Sequence, residues 1–305
     1  MTEYLILDCD NTLGVRYHEI DDGLTLLYLL GRGDFELLGI TTTFGNGPVA
    51  LVTWATRQLL KSVKRHDLPV LQGAAQRGDV DTPAAHFLAE QIAKHPGAVT
   101  ILTTGPLGNL RAAAEHHPKF FSKVKRIACM GGYLKPLRIG YRRLPERNLS
   151  GDPEATWAVL NAACPVTLMP AQLCLQASFT RRDFGLTRWD PTLHQIVKSW
   201  LRAFGFYCGV RRFYLWDLLP AVYLTHPHLF DAPRVRIGAT VADLEKGMLR
   251  DIAPDADSQL ILPTQIVDRL QFKALLFEAW GRVQVNGRRL QPLWMANEGK
   301  RPWAA

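Results

Sequence analysis

Short apolar runs rich in β-branched residues alternate along the chain with longer segments of helical period. The run at 4–8 ends in a carboxylate, and the segment 22–30 that follows places its leucines on one face. This alternation is typical of a mostly parallel sheet flanked by helices. The predicted strands span residues 4–8, 36–42, 99–102, 126–130 and 166–169, and the predicted helices span residues 22–30, 48–63, 153–162 and 217–224.

The same pattern predicts a single α/β domain, since the sequence contains neither an internal repeat nor a low-complexity linker. We expect this domain to cover residues 1–280, with a helical excursion beside the sheet at about 180–230. Residues 281–305 are rich in Arg, Trp, Gly and Pro, and they are predicted to form a C-terminal tail.

Composition and charge narrow the range of partners. Of the 305 residues, 47% are hydrophobic and 21% charged, which is ordinary for a globular protein and excludes disordered and coiled-coil classes. The net charge is +8, but its densest cluster falls in one loop-like stretch, 135–147, and not in a stripe along a helix. We therefore expect no nucleic-acid partner. No apolar run is long enough to span a bilayer, so no membrane partner is expected either.

The five cysteines are irregularly spaced and include no CxxC pair. An odd number of cysteines beside apolar neighbours indicates buried thiols in a reducing compartment rather than a disulfide framework. The first residues also lack the basic and apolar regions of a signal peptide. A cytoplasmic location is the resulting expectation.

Carboxylates are concentrated where the first strand ends and the first helix begins. Asp8 and Asp10 follow the strand, and Asp21 and Asp22 open the helix. Four carboxylates this close would repel one another strongly unless a cation neutralises them. Oxygen ligands suit calcium or magnesium, and the sequence shows no His or Cys cluster that would indicate zinc. Helix capping by Asp21 or Asp22 is the alternative, but it accounts for only one of the four.

The segment LILDCDNTLG at 5–14 resembles the first motif of haloacid dehalogenase-type phosphatases. That resemblance implies that Asp8 is a nucleophile toward phosphoryl groups and that Asp10 is a general acid or base. The remaining roles of that family would have to fall on Thr103 or Thr104 and on Asp152.

A second resemblance covers more of the chain. Asp8 and Asp10, followed by IDDG at 20–23, resemble the DxDxGxDD signature of the nucleoside hydrolases, although ten residues separate Asp10 from Asp21 where the family has three. Loop closure costs grow only logarithmically, so the insertion is tolerable. Further family-like segments follow in order: GITTTFGN at 39–46, LTTGPLGN at 102–109, MGG at 130–132, ERN at 146–148, DPEA at 152–155 and WD at 216–217.

The second resemblance implies a Rossmann-like fold and calcium-dependent hydrolysis of the N-glycosidic bond of a ribonucleoside. By similarity, a calcium ion would be held by Asp10, Asp22, Asp217 and the backbone carbonyl of Thr104, and Asp10 would take the proton of the attacking water. The ribose would be bound by Asp21, Glu146 and Asn148, with Asn46 touching the water or the ribose and Asp8 supporting the cluster from behind. A homodimer or homotetramer is also implied.

Trp216 stands where many family members carry a histidine. The purine-specific branch has a tryptophan there, and its indole stacks on the base and favours protonation of the purine ring. The resemblance therefore implies a catalytic role for Trp216 and a purine or modified purine base. The alternative is an ordinary core tryptophan, because FYLWDLLPAVYL at 213–224 is apolar almost all round.

Three further departures bear on the substrate, and the first is that the Asn found upstream of the family's ExN segment has no match near Gly140. The stretch 72–86 is shorter than the family's substrate-covering loop, so the inserted residues 11–20 are a candidate lid. Arg147 lies between Glu146 and Asn148, which raises the hypothesis of an anionic or unusually polar substrate; a solvated surface arginine is the alternative. Because the lid is altered, a protein that binds ribosides without hydrolysing them is a further alternative.

Overall fold

Seven strands form one parallel sheet in this computed structural model, which describes residues 3–183 and 191–284. In chain order, all strands are β1 (Glu3–Cys9), β2 (Phe35–Thr42), β3 (Val70–Gln72), β4 (Val99–Thr103), β5 (Arg126–Met130), β6 (Arg138–Ile139), β7 (Arg142–Arg143), β8 (Val166–Met169), β9 (Ser178–Phe179), β10 (Phe213–Tyr214), β11 (Val235–Arg236), β12 (Ala253–Pro254) and β13 (Leu260–Ile261). The order in the sheet is β13-β8-β5-β4-β1-β2-β3, and β6–β7, β9–β10 and β11–β12 form three small antiparallel pairs.

Helices connect and cover these strands. They are α1 (Asp21–Arg32), α2 (Val49–Ser62), α3 (Pro83–Lys94), α4 (Gly108–His116), α5 (Phe120–Lys123), α6 (Pro153–Leu160), α7 (Ala171–Cys174), α8 (Pro191–Cys208), α9 (Leu218–Thr225), α10 (Val241–Leu244) and α11 (Arg269–Arg282), with a 3-10 turn at Pro227–Leu229. The prediction of an α/β fold with a mostly parallel sheet flanked by helices is confirmed.

The sheet has a separate apolar core on each face. Successive side chains of a strand point to opposite faces. Accordingly Leu5 and Leu7 of β1 join one core with helices α1, α9 and α11, whereas Ile6 joins the other with α3, α4 and α6. Burial on both faces explains why the central strands appear in the sequence as continuous apolar runs.

The strand order places a crevice beside β1. β1 pairs with β2 on one side and with β4 on the other, so that Asp8 lies opposite both Thr41 and Thr103. The chain adds strands outward in one direction up to β3 and then returns to add β4 on the opposite side of β1. Where the strand order reverses in this way, the connections leave two neighbouring strands in opposite directions and open a crevice. Ligands of open α/β sheets bind in that crevice, at the carboxyl ends of the strands.

The predicted strands and helices named above are all present, and α1 begins one residue earlier than expected, at Asp21. β3 and β13 escaped prediction because they contain only 3 and 2 residues, too few to show a period. α8 and α9 lie within the expected helical excursion, although residues 184–190 are outside the described part of the chain. α11 continues past the expected domain boundary at 280, and residues 285–305 of the expected tail are likewise outside the described part.

All five cysteines are buried and unpaired, as expected from their spacing. Among the described helices, none combines the length and apolar character needed to cross a bilayer.

α1 and α11 approach closely at a glycine. The backbone carbonyl of Ala279 lies only 1.9 Å from where a Cβ of Gly31 would stand, and the Trp280 indole N–H donates to the Leu24 carbonyl at 2.8 Å. A side chain at residue 31 would force the two helices apart.

We expect Gly31→Ala to lower the free energy of unfolding by about 2 kcal/mol, because overpacking a tight contact between backbones costs roughly 1–3 kcal/mol. Gly281→Ala is the matched control, since Gly281 is also in a helix and a Cβ there meets nothing within 4 Å. Urea unfolding of both variants measures the effect. Equal stability of the two variants would contradict the close helix contact.

Candidate active site

A cavity of about 550 Å³ opens at the carboxyl edge of the sheet. Asp21, Asn46, Thr104 and Met130 line it from the ends of β1, β2, β4 and β5 or from the segments that follow them. Loop 132–148, helix α8 and the inserted residues 17–19 form the rest of its wall. The volume is in the range of small-molecule sites, and the position is that expected from the strand order.

Four buried carboxylates form a cluster at the floor of this cavity, where Asp21 and Asp217 line it directly and Asp10 and Asp22 are not among the lining residues. Asp10 follows β1, Asp21 and Asp22 open α1, and Asp217 is the N-cap residue of α9. Each residue is at most 3% exposed. One carboxylate oxygen from each of Asp21, Asp22 and Asp217 lies within 4.8 Å of the others, a grouping that fits a metal ion. The fold therefore brings the predicted acidic residues together from positions about 200 residues apart.

This cluster lacks a neutralising side chain. In the described part of the chain, none of the Lys, Arg or His ion pairs involves any of the four carboxylates. Burial raises the pKa of Asp10, Asp22 and Asp217, and it raises the pKa of Asp21 to about 7; neighbouring carboxylates add to the effect at Asp10, Asp21 and Asp217. The donor set is all oxygen and strongly anionic, so it fits a hard divalent cation.

Asn46 connects the predicted proton acceptor to the rest of the cluster. Its backbone N–H donates to Asp10 Oδ2 at 2.7 Å, and its side-chain amide donates to Asp10 Oδ1 and to Asp22 Oδ2, both at 3.2 Å. The preceding Gly45 has φ +150°, and a Cβ there would stand 2.0 Å from Asp10 Oδ2. The turn thus needs glycine so that the backbone can approach the carboxylate.

All three polar groups of Thr104 make hydrogen bonds, and its hydroxyl reaches the cluster. Its hydroxyl donates to Asp22 Oδ1 at 2.7 Å, and its N–H donates to the Asp8 carbonyl at 2.9 Å. Its carbonyl accepts from the Asn148 amide at 3.0 Å. A carbonyl oxygen has two lone pairs, so this one retains capacity for the predicted cation.

Asp8 lies behind the cluster and does not line the cavity. Its Oδ1 accepts from the Thr41 hydroxyl at 2.5 Å and from the Asn109 amide at 2.7 Å, whereas its Oδ2 is buried without a hydrogen-bond partner. Burial raises the pKa of Asp8 to about 6. Side chains of β2 and α4 hold this carboxylate, which fits a supporting role better than that of the phosphatase nucleophile.

Asn109 ends the family-like segment LTTGPLGN, but the sequence alone indicated no role for this residue. The Asn109 amide holds Asp8 and the Thr42 carbonyl, and its oxygen accepts from Ala74 N–H at 2.9 Å. A buried asparagine directly after a strand and a tight turn was the available signal.

Glu146 and Asn148 lie on one tight segment of the cavity wall. Glu146 Oε1 accepts backbone N–H groups from Gly132, Asn148 and Leu149 at 3.0–3.1 Å, and Oε2 accepts from Ser150 at 2.6 Å. Most of the hydrogen-bonding capacity of Glu146 therefore shapes its own loop, and Oε2 keeps room for one more donor. The Asn148 amide also donates to the Met130 carbonyl at 3.1 Å, which leaves its side-chain oxygen for a ligand.

Aromatic side chains form part of the cavity wall. Trp216 is half-buried and lines the cavity, and its ring centroid lies 5.2 Å from that of Tyr214. Its backbone N–H donates to Asp21 Oδ2 at 3.1 Å. Three residues of α8 that sequence reasoning missed also line the cavity, at the i, i+4, i+7 spacing of one helix face: Trp200, Phe204 and Tyr207.

The inserted segment reaches the cavity, where we expected a lid. Tyr17, His18 and Glu19 line it. Arg147 also lines the cavity and is exposed. Arg142 instead packs over the Tyr207 ring, 4.6 Å from its centroid, on the outer surface.

The fold also forms a histidine cluster that the sequence did not indicate. His86 and His116 come from α3 and α4, their ring centroids lie 4.1 Å apart, and His86 Nε2 is 2.7 Å from Asp81 Oδ1. The sequence could not indicate this cluster, because two residues 30 positions apart become neighbours only when the two helices pack together. All three side chains are exposed, and none lines the cavity.

Comparison with known proteins agrees with this site. The sequence model of the inosine-uridine preferring nucleoside hydrolases matches residues 5–273. Uridine nucleosidase 1 of Arabidopsis thaliana is 31% identical over 209 residues, which cover 59% of this chain and 60% of that protein. The pyrimidine-specific ribonucleoside hydrolase RihA of Shewanella oneidensis is 27% identical over 89% of this chain and 88% of its own length.

The fold has solved counterparts. The purine-preferring ribonucleoside hydrolase from Gardnerella vaginalis superimposes with a TM-score of 0.78 over 92% of this chain and 99% of its own, at 20% identity. With the family match over nearly the whole chain, these findings mean that the chain belongs to the inosine-uridine preferring nucleoside hydrolase family and is a nucleoside hydrolase.

Proposed function

We propose that this protein hydrolyses the N-glycosidic bond of a ribonucleoside with the help of a calcium ion, giving ribose and a free base. The observation that carries the proposal is the group of four buried carboxylates without a paired cation, at the floor of a cavity large enough for a nucleoside.

The ion would be held by Asp10, Asp22, Asp217 and the Thr104 carbonyl, with Asp21 directly beside Asp22 and Asp217. When bound, calcium supplies a positive charge that neutralises these groups, binds hydroxyl oxygens of the ribose and lowers the pKa of a water. A buried all-oxygen site of this kind supports calcium over zinc.

Asp10 accepts the proton of the attacking water in this proposal. The two hydrogen bonds from Asn46 fix the orientation of its carboxylate toward the cavity floor. The water oxygen then bonds to the anomeric carbon as the bond to the base breaks, and positive charge develops on the ribose ring.

Asp21, Glu146 and Asn148 bind the ribose hydroxyls. Glu146 and Asn148 are held by the backbone of their own loop, and Asp21 is held by the N–H groups of Trp216 and Asp217. Groups fixed in this way lose little entropy when the substrate binds. Hydrogen bonds that the ribose hydroxyls donate to carboxylates strengthen as the ring becomes positive, so they lower the barrier and do not merely add affinity.

A purine is the proposed base, because Trp216 offers an indole at the cavity beside Tyr214. A pyrimidine is the second candidate, since the names of the Arabidopsis and Shewanella relatives specify uridine and pyrimidines.

A cytoplasmic location and a homodimer or homotetramer stay predictions.

Replacing the proton acceptor tests the mechanism directly. We expect Asp10→Asn to lower kcat by at least about 100-fold, because general base catalysis contributes roughly 10²- to 10⁴-fold. Release of reducing sugar from a purine, pyrimidine and modified-nucleoside panel measures the rate. The control is Asp257→Asn, an exposed aspartate outside the cavity. If Asp10→Asn retains the wild-type activity, Asp10 is not the proton acceptor.

Calcium should stabilise the protein more at pH 8 than at pH 5.5. The pKa of Asp21 is raised to about 7 and those of Asp10 and Asp217 are raised well above their ordinary value, so the metal-free folded protein holds protons that the unfolded chain has already released. Metal-free stability therefore falls as the pH rises from about 4 to 7. Calcium competes with those protons and gains affinity over the same interval.

The measurement is the shift in Tm when CaCl2 is added to chelator-treated protein at each pH. Asp217→Asn should reduce the shift at pH 8, and Asp257→Asn should leave it unchanged. A shift of the same size at both pH values would contradict the role of the cluster.

The base is tested at Trp216. If a purine stacks on this indole, Trp216→Leu should lower kcat/KM for inosine by about 10-fold, the usual size of an aromatic–base stacking effect, and should lower it less for uridine. Trp216→Phe keeps an aromatic ring and should retain most of the activity. Faster uridine hydrolysis by the wild type, with equal losses for both substrates in Trp216→Leu, would favour the pyrimidine candidate.

A further inference from the structure

Glu19 is a carboxylate of the cavity wall for which the proposed mechanism has no use. It lies in the inserted segment, three residues before Asp22, and it lines the cavity together with Tyr17 and His18. Within the described residues, its side chain takes part in no hydrogen bond or ion pair; only the charges of Asp21, Asp22 and Arg147 act on it. A partly buried carboxylate without a donor loses hydration and receives nothing in exchange.

The backbone around Glu19 is firmly held. The Thr12 hydroxyl donates to the Glu19 carbonyl at 2.9 Å, and the buried Asn11 amide donates to the Thr56 hydroxyl of α2 at 3.2 Å. Leu13 and Ile20 are both buried in the core. The segment therefore holds Glu19 at the cavity instead of leaving it on a free loop tip.

Arg147 is the cation that faces Glu19 within the cavity. Its backbone is fixed by the hydrogen bond from the Asn148 N–H to Glu146 Oε1 at 3.1 Å. Despite their attraction, the two side chains do not form an ion pair in the described structure. Glu19 and Arg147 are thus opposite charges that line the same cavity without pairing with each other, so one polar group of a ligand can bond to both.

We propose that Glu19 and Arg147 together bind one polar group of the nucleoside, with Glu19 accepting a hydrogen bond from it and Arg147 donating one to it. This inference rests on the proposed function. The group must carry a donor hydrogen next to an acceptor lone pair, as do the 5′-hydroxyl of the ribose and the N–H/C=O edge of a base. A phosphate group is disfavoured, since Glu19, Asp21 and Asp22 all repel it.

Binding by Glu19 and Arg147 also explains two departures of this sequence from the family pattern. The insertion supplies the acceptor, and the arginine between Glu146 and Asn148 supplies the donor. Neither residue touches the attacking water in the proposal, so both are specificity-determining residues.

A double-mutant cycle tests the proposal. Glu19→Gln, Arg147→Met and the double variant are assayed for kcat/KM on inosine, and Glu90→Gln and Arg138→Met serve as exposed controls outside the cavity. Each single variant should lose about 10- to 100-fold, the size expected for a hydrogen bond to a charged group. The double variant should lose less than the product of the two, because both act on one substrate group. Multiplicative losses, or no loss, would overturn the proposal.

Two truncated substrates locate the group. Nebularine lacks the 6-oxo group and the N1–H of inosine, and 5′-deoxyinosine lacks the 5′-hydroxyl. The penalty of Glu19→Gln should vanish on nebularine if the base edge is bound, or on 5′-deoxyinosine if the sugar is bound. An equal penalty on all three substrates would mean that Glu19 acts only on structure, and it would overturn the proposal.

The wild-type rate separates failure of this inference from failure of the proposed function. If the wild type cleaves none of the nucleosides, the proposed function fails. In that case, calorimetry in the presence of calcium measures the Kd values of inosine, nebularine and 5′-deoxyinosine for the wild type and for the three variants of the cycle. The same criteria then apply to the Kd values. Thermal unfolding of each variant checks that the fold is retained.

Discussion

Mutual repulsion among four buried aspartates is the constraint on which the rest of this structure depends. Asp10, Asp21, Asp22 and Asp217 are withdrawn from water without a basic side chain to offset their charge. Burial raises the pKa of all four, and that of Asp21 to about 7. Such a cluster suits a divalent cation, and binding of a cation there would stabilise the fold.

The surroundings hold the carboxylates in place until such a charge is present. Asn46 bridges Asp10 and Asp22, and Thr104 donates to Asp22 while its carbonyl faces Asn148. Because these contacts come from the ends of neighbouring parallel strands, the sheet itself sets the geometry of the cluster. A rigid scaffold of this kind reduces the reorganisation needed as charge develops on a bound ribose.

Two walls of the cavity differ in what they can recognise. The floor is acidic and suits ribose hydroxyls, whereas Trp216 and the α8 residues offer apolar rings to a base. Relatives with names that specify uridine, pyrimidines or purines share this chain's family or fold. In the proposed function, the acidic floor would bind the ribose and the aromatic side chains would contact the base.

The sequence by itself determined the parallel sheet and most of the acidic cluster, because strands buried on both faces are continuous apolar runs and their carboxyl ends meet at one edge. It could not reveal β3 or β13, which are too short for a period, nor the contact of His86 with His116. Family resemblance, and not periodicity, predicted that Asp217 joins the other aspartates, whereas tertiary structure alone decided that one face of α8 and the residues Glu19 and Arg147 line the cavity. Such pairings depend on how distant helices and loops pack, and local sequence periodicity carries no information about that packing.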